Sequence, residues 1–142
     1  MRARSLLVVA SAGQLAAGVA GQRVALRDGR PFDIALLRWR GDPRRVARDS
    51  WLFGTGLSAP VVMLAAQAAA LTTCLPARPS RNATLSLGAL GAAMSGGYLV
   101  EREFRSALSP GGWNLAVTPI AAAGFALALA MAVLGLRGVP DT

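Results

Sequence analysis

The carboxyl groups that could do acid–base chemistry are few and stand beside arginines. Glu101 belongs to the stretch YLVEREFRS, next to Arg102, and Asp49 belongs to RRVARDSW, next to Arg48. A carboxyl group can act as a general acid or base on a substrate whose anionic headgroup is held by a neighbouring arginine. The sequence therefore indicates Glu101 and Asp49 as catalytic residues if the protein is an enzyme.

Glu101 is preferred over Glu103 because of its position relative to Tyr98. If one helix continues through both glutamates, their side chains point in nearly opposite directions, so only one of them faces the interior. Glu101 continues the face of Tyr98. The alternative role is structural: a glutamate at the membrane edge that is bridged to Arg102 or Arg48.

The composition excludes several kinds of chemistry. The chain has no histidine, which removes a His-based general base, proton shuttle or metal site. Its single cysteine, Cys74, cannot form a disulfide within the chain, and no second cysteine or histidine accompanies it as a zinc ligand. We expect no metal and no cofactor.

The balance of residue types is that of a membrane protein. Of the 142 residues, 54% are hydrophobic and 15% are charged, which lies outside the usual balance of a soluble domain. Every basic residue is an arginine, a usage typical of a GC-rich bacterial genome. The length fits one domain.

Four long runs of the chain carry no charge. They cover residues 5–22, 50–77, 82–100 and 106–136. A helix needs about 20 largely apolar residues to cross the hydrocarbon core of a bilayer. The sequence therefore predicts an all-α integral membrane protein. Its single domain, residues 1–142, would be a bundle of four transmembrane helices at about residues 5–26, 43–75, 81–104 and 112–137.

Arginines are unevenly distributed between the two ends of these helices. Ten of them fall on the side of the first and third connections, and five on the side of the termini. Because cytoplasmic loops retain positive charge, the long Arg-rich first loop should be cytoplasmic and both termini should lie outside the inner membrane. The arginines would then face anionic lipid headgroups, and no binding of nucleic acid is expected. A cleaved signal peptide in the first run is the alternative, and it would put this loop outside.

The first loop also carries local signals. Asp42 followed by Pro43 predicts a helix N-cap with proline in the first turn, so the second helix should begin at Pro43. Between Phe32 and Arg40, apolar residues at helical spacing fit a short amphipathic helix in the headgroup layer. An irregular loop with these side chains tucked under the bundle fits the same residues equally well.

Small residues recur at four-residue spacing within the runs. They form three rows: Gly13, Ala17 and Gly21; Gly88, Ala92 and Gly96; and Gly124 with Ala128. Such rows let helix backbones approach closely in lipid. They predict close packing within one bundle, or a face that forms a homodimer or a larger membrane complex.

A ligand site is predicted at the cytoplasmic end of the helices. The three tryptophans and four other aromatic residues fall there, whereas an ordinary aromatic belt marks both membrane surfaces. An anionic amphiphile would suit this site, with its headgroup on Arg48 or Arg102 and its tail beside Met63. The residues expected to bind it are Arg48, Trp51, Gln67, Tyr98, Arg102, Trp113 and Asn114.

Three functional classes fit these features. The first is a module that binds lipid or another hydrophobic molecule, or serves as an accessory subunit, with membrane lipids as its partners. The second is an intramembrane enzyme that acts on a lipid-like or isoprenoid substrate through Glu101 or Asp49. The third, a small transporter, is the weakest because no charged residue lies in the middle of a span. The absence of a nucleophile motif favours the first.

Overall fold

The computed structural model describes residues 2–75 and 80–137, and most of them are helical. Three helices are long and apolar enough to cross a membrane: α1 (Arg2–Asp28), α4 (Arg81–Val100) and α6 (Thr118–Arg137). This supports the predicted all-α membrane protein. A further apolar helix, α3 (Val61–Cys74), has only 14 residues.

The four apolar helices pack side by side, and short elements gather at one end of them. Helix α6 lies between α1 and α4, and α3 contacts both α1 and α4. The best-buried apolar side chains fill the space between the helices and include Leu64, Leu87, Met94 and Met131. The short elements are strands β1 (Asp33–Ile34) and β2 (Trp39–Arg40) and helices α2 (Val46–Asp49) and α5 (Arg102–Ala107).

Helix α1 is longer than predicted at both ends. It continues past residue 26 to Asp28, and Gly29 then ends it in the left-handed conformation, with φ 63°. The amide of Arg30 donates to the carbonyl of Ala25 at 2.9 Å. This bond and the left-handed glycine form a Schellman-type end, which satisfies a carbonyl that the helix would otherwise leave unpaired.

The predicted second helix, residues 43–75, is not one helix. Its start is confirmed: the side chain of Asp42 accepts from the amide of Arg44 at 2.9 Å, with Pro43 in the first turn. The turn gives way to α2, which ends at Asp49, and a helix resumes only at Val61. Gly54, with φ 77°, and Pro60 occupy the interruption, and both disfavour a continuous helix.

The predicted third helix, residues 81–104, is interrupted at Glu101. This residue has an extended backbone, with φ −78° and ψ 125°, so α4 ends at Val100 and α5 begins at Arg102. Glu101 forms an antiparallel β-bridge with Ile34. The reason given above for preferring Glu101, a continuous helix through both glutamates, is therefore wrong.

The predicted fourth helix, residues 112–137, begins later than expected. Helix α6 starts at Thr118, with Pro119 in its first turn. Before it, the side chain of Asn114 accepts from the amide of Ala116 at 2.9 Å, which makes a turn in place of the expected first helical turns. The Thr118 hydroxyl donates to the carbonyl of Ala107 at 3.0 Å, so this turn is tied to α5.

Residues 32–40 form a small hairpin rather than an amphipathic helix. Strands β1 and β2 pair with Asp33 opposite Arg40 and Ile34 opposite Trp39. A turn of 3₁₀ helix joins them and leaves Leu36 80% exposed at the tip. Of residues 32–40, only Phe32 is buried, and its ring packs against those of Trp39 and Phe53.

Glycines bring α4 and α6 into backbone contact. A Cβ on Gly135 would lie 2.5 Å from the Cα of Gly88, and a Cβ on Gly91 would lie 2.6 Å from the carbonyl oxygen of Ala128. Both distances are too short for any side chain. We call this contact the glycine seam. The predicted row Gly88, Ala92 and Gly96 therefore does not act as one packing surface. Gly88 packs within the chain, while Ala92 and Gly96 are exposed.

Candidate functional site

Glu101 is a buried carboxyl at the junction of α4, α5 and the hairpin. Only 8% of the residue is exposed. Its Oε1 accepts a hydrogen bond of 2.7 Å from the amide of Asp33, and its backbone bridges Ile34. The break between α4 and α5 makes this position possible, since an extended residue can pair with a strand and a helical one cannot.

The arginines near Glu101 are paired with other acidic residues. The Nε atoms of Arg102 and Arg40 lie 3.7 and 3.9 Å from the two carboxylate oxygens of Asp33. Arg30 forms an ion pair with Glu103. Among residues 2–75 and 80–137, no arginine nitrogen lies within ion-pair distance of Glu101. The predicted structural bridge from Glu101 to Arg102 or Arg48 does not form.

This environment raises the pKa of Glu101 from 4.5 to about 7. Burial is the main cause, because it disfavours the charged form. The negative charges of Asp33 and Glu103 act in the same direction, and hydrogen bonding from the backbone amides of Asp33 and Glu103 opposes them. Glu101 is thus suited to exchange a proton near neutral pH.

A cavity of about 110 Å³ lies beside Glu101, between the start of α3 and the end of α4. We call it the Glu101 cavity. Its volume is smaller than that of the roughly 150 Å³ cavity that admits benzene in an engineered lysozyme, so it fits a small headgroup. Its walls are mostly apolar, and none of the residues that line it is an arginine: Ile34, Phe53, Thr55, Gly56, Ser58, Ala59, Pro60, Met63, Ala93, Met94, Gly97, Tyr98, Val100 and Glu101.

A shallow groove runs from this cavity along the outside of the molecule, between α3 and α4. We call it the α3–α4 groove. Ala93 borders both the groove and the Glu101 cavity, so the two are adjacent. Nearly all of its lining residues are small: Ala66, Ala69, Ala70, Thr73, Ser80, Asn82, Ala83, Ser86, Ala89, Leu90 and Ala93.

Tyr98 borders the cavity, but its hydroxyl group points elsewhere. A Cβ on Gly124 of α6 would lie 2.3 Å from the Tyr98 Oη, so the hydroxyl packs on that glycine. It is buried and has no hydrogen-bond partner among the described residues. The ring contacts Phe104 and Phe125, with centroids 5.2 and 6.2 Å away. Tyr98 therefore contributes shape to the site, and no donor.

Other predicted site residues on the first loop lie at the surface. The side chain of Arg48 is 71% exposed and its Nε lies 3.3 Å from the Asp49 Oδ1. Trp51 is exposed as well. Neither Arg48, Asp49 nor Trp51 borders the Glu101 cavity. Arg102 also faces solvent and is engaged with Asp33, as described above.

The remaining predicted residues are divided between the bundle and the surface. Gln67 is fully buried, and its Nε2 donates to the backbone oxygen of Ser11 at 2.8 Å and approaches the sulfur of Met131 at 3.6 Å. It therefore joins α3 to α1, away from the cavity. Trp113 and Asn114 are exposed and lie in the turn before α6.

Sequence reasoning missed most of the cavity wall. Phe53, Thr55, Ser58 and Pro60 belong to the segment that was predicted as helix, and Ile34 belongs to the hairpin. The signal was present in FGTGLSAP, where two glycines and a proline stand within seven residues.

Within the described residues, no three potential metal ligands among His, Cys, Asp and Glu come together. Neither a family model, a curated protein nor a solved structure matches this chain.

Proposed function

We propose that this protein is a bacterial inner-membrane protein that binds an amphipathic, lipid-like molecule. The headgroup occupies the Glu101 cavity and the chain lies in the α3–α4 groove. A buried polar group beside an apolar channel is the usual composition of a site for such ligands. The ligand is a lipid of the surrounding membrane or a molecule dissolved in it.

The proposal includes the predicted topology. Helices α1, α3, α4 and α6 cross the membrane, the Arg-rich first loop lies in the cytoplasm, and both termini lie outside. The hairpin, α5 and the starts of α3 and α6 then form a cytoplasmic cap that contains the cavity. Association into a homodimer or a larger complex stays a prediction, and the exposed Ala92 and Gly96 are two small residues at which it could occur.

One observation supports the binding proposal above the others: the Glu101 carboxyl, which lacks an arginine partner among the described residues, borders a cavity adjacent to the α3–α4 groove. Burying an ionisable group without a partner is costly, so such a group in a membrane protein is a candidate for function. The groove accounts for the apolar part of the ligand and Glu101 for the polar part.

A photolabelling experiment tests the proposal. The probe is an alcohol with a dodecyl chain that carries a diazirine, applied to the protein in nanodiscs. We expect labelling near Met63 and Ala93, and its loss in Ala93→Phe, because the ring fills the junction between groove and cavity. The matched control is Ala92→Phe, which changes the next residue and borders neither space. Equal labelling of all lipid-facing helices, or full labelling of Ala93→Phe, would contradict the proposal.

The raised pKa of Glu101 favours an enzyme as the second candidate. A carboxyl with a pKa of about 7 is suited to general acid–base catalysis on the headgroup in the cavity. Asp49, the other predicted catalytic residue, is paired with Arg48 outside the cavity. In this reading Glu101→Gln abolishes turnover of a lipid-like substrate while photolabelling persists, whereas persistent turnover would exclude it.

A further inference from the structure

The charges around the Glu101 cavity indicate what kind of headgroup it takes. We propose that the ligand carries a protonated amine, which donates a hydrogen bond to Glu101. This inference rests on the proposed function and specifies its ligand. It replaces the anionic amphiphile expected from the sequence.

The first step concerns the carboxylate of Glu101. Its Oε1 accepts from the Asp33 amide at 2.7 Å, the Glu103 backbone amide also stabilises its charged form, and no arginine among the described residues pairs with it. The residue is more than nine-tenths buried and borders the cavity. A carboxylate in this position is an acceptor, and it can accept a hydrogen bond from a donor placed in the cavity.

The second step concerns the neighbouring charges. The residues that act electrostatically on Glu101 are Asp33 and Glu103, and both are acidic. The arginines that could offset them, Arg30, Arg40 and Arg102, are bound to those two carboxylates and do not border the cavity. An anionic headgroup would add another negative charge at short range in a poorly solvated space, which is unfavourable.

The third step concerns size. The cavity volume of about 110 Å³ suits an ammonium on an alkyl chain better than a bulky headgroup. An ammonium forms charge-assisted hydrogen bonds with a carboxylate, and these are stronger than neutral ones. Its apolar chain would continue past Ala93 into the α3–α4 groove.

Competition against the photoprobe tests this headgroup preference. The competitors share one chain and differ in the head: dodecylamine, dodecanol and dodecanoate. At about pH 8 we expect dodecylamine to displace the probe at about tenfold lower concentration than dodecanoate. A tenfold difference in affinity corresponds to the free energy of about one charge-assisted hydrogen bond. In Glu101→Gln this preference should disappear, while Glu103→Gln, which changes an acid outside the cavity, should retain it.

A second measurement uses the unaltered protein, so its result does not depend on whether the Glu101→Gln variant folds. Because Glu101 must be ionised to bind an ammonium, the advantage of dodecylamine should shrink when the pH falls from about 8 to about 5.5. Asp33, Glu103, Arg30, Arg40 and Arg102 are the other charged groups near this site. Glu101→Gln, checked for helical content, should show no such pH dependence.

The outcomes separate the two proposals. Equal displacement by all three competitors, or a preference for dodecanoate, overturns the amine inference and leaves the binding site if labelling still depends on Ala93. Labelling that does not depend on Ala93 overturns the binding site itself. Two sources carry the same ammonium chemistry, and added lipid distinguishes them. Competition by phosphatidylethanolamine but not phosphatidylcholine identifies an aminolipid, whose terminal ammonium alone would enter the cavity while its phosphate stays outside. Competition by dodecylamine alone identifies a free amine.

Discussion

The two sides of helix α4 are packed in different ways. Toward α6, Gly88 and Gly91 bring two backbones into contact with no space between them. Toward α3, Ala93 and Gly97 border a cavity and an open groove, and a Cβ on Gly97 would have no neighbour within 4 Å. Small residues therefore have two effects on one helix: they permit close approach on one side and leave open space on the other.

The largest expected effect comes from filling the glycine seam. In Gly91→Leu the side chain meets the backbone of Ala128 and Ala132, which cannot move aside, so we expect destabilisation of about 3 kcal/mol or more. The matched control is Gly97→Leu, two turns further along the same helix, which should fold normally. Unfolding by steric trapping in bicelles measures both. Equal stability of the two variants would mean that the sides of α4 do not differ.

On the side of α4 that faces α3, the stability of the fold should also depend on pH, through Glu101. Below about pH 4.5 the Glu101 carboxyl is protonated in the folded and the unfolded states. As the pH rises toward 7 the unfolded chain releases this proton first, so the free energy of unfolding should fall, by about 2 kcal/mol after allowance for solvent screening, and then level off. Subtracting the profile of Glu101→Gln isolates this contribution. Identical profiles for the two proteins would show that Glu101 does not titrate in this range.

A buried polar cluster between α1 and α3 should give a smaller change, and here the substitution should raise the free energy of unfolding. Gln14 is fully buried, and within residues 2–75 and 80–137 neither the Oε1 nor the Nε2 of its side chain has a hydrogen-bond partner. The hydroxyl group of Ser11 is also buried without a partner there. Gln14→Leu should therefore stabilise the fold by about 1 kcal/mol, because it removes an unsatisfied polar group. Equilibrium unfolding measures the change, with Gln67→Leu as a comparison that also removes a hydrogen bond to α1. Destabilisation by Gln14→Leu would reveal a bound partner.

The smallest effect concerns the far end of α3. The Arg4 guanidinium donates to the last carbonyls of this helix, at Cys74 and Leu75. Arg4→Ala should cost about 0.5 kcal/mol and speed hydrogen exchange in the last turn of α3 alone. Arg23→Ala, which removes another arginine of α1, is the control. Unchanged exchange in that turn would show that α3 is held without this cap.

The helical framework was largely predictable, and its interruptions were not. Charge-free runs located α1, α4 and α6 to within a few residues at most ends, since crossing a membrane demands such runs. The interruptions depend on contacts that are remote in sequence. Glu101 leaves the helix where Ile34 of the hairpin pairs with it, and no pattern near residue 101 specifies that strand.

The site was predictable only at its centre. Glu101, Tyr98 and Met63, which the sequence analysis assigned to the site, border the cavity. The arginines were not predictable, because a long arginine side chain binds whichever acid the fold brings near, and Asp33 is brought there by the hairpin. Phe125, which contacts Tyr98, was not assigned to the site because it lies inside the predicted fourth span, away from the aromatic residues at its end.

The shortness of α3 has a consequence for the lipid around it. Its 14 residues rise about 21 Å, whereas the hydrocarbon layer is about 30 Å thick. A bilayer crossed by this helix must thin beside it, or the exposed apolar residues Trp51, Leu52 and Phe53 must complete the hydrophobic length. In the proposed topology, local thinning would bring lipid headgroups deeper into the membrane at α3 than elsewhere around the protein. It would thereby shorten the distance that a headgroup must travel to reach Glu101.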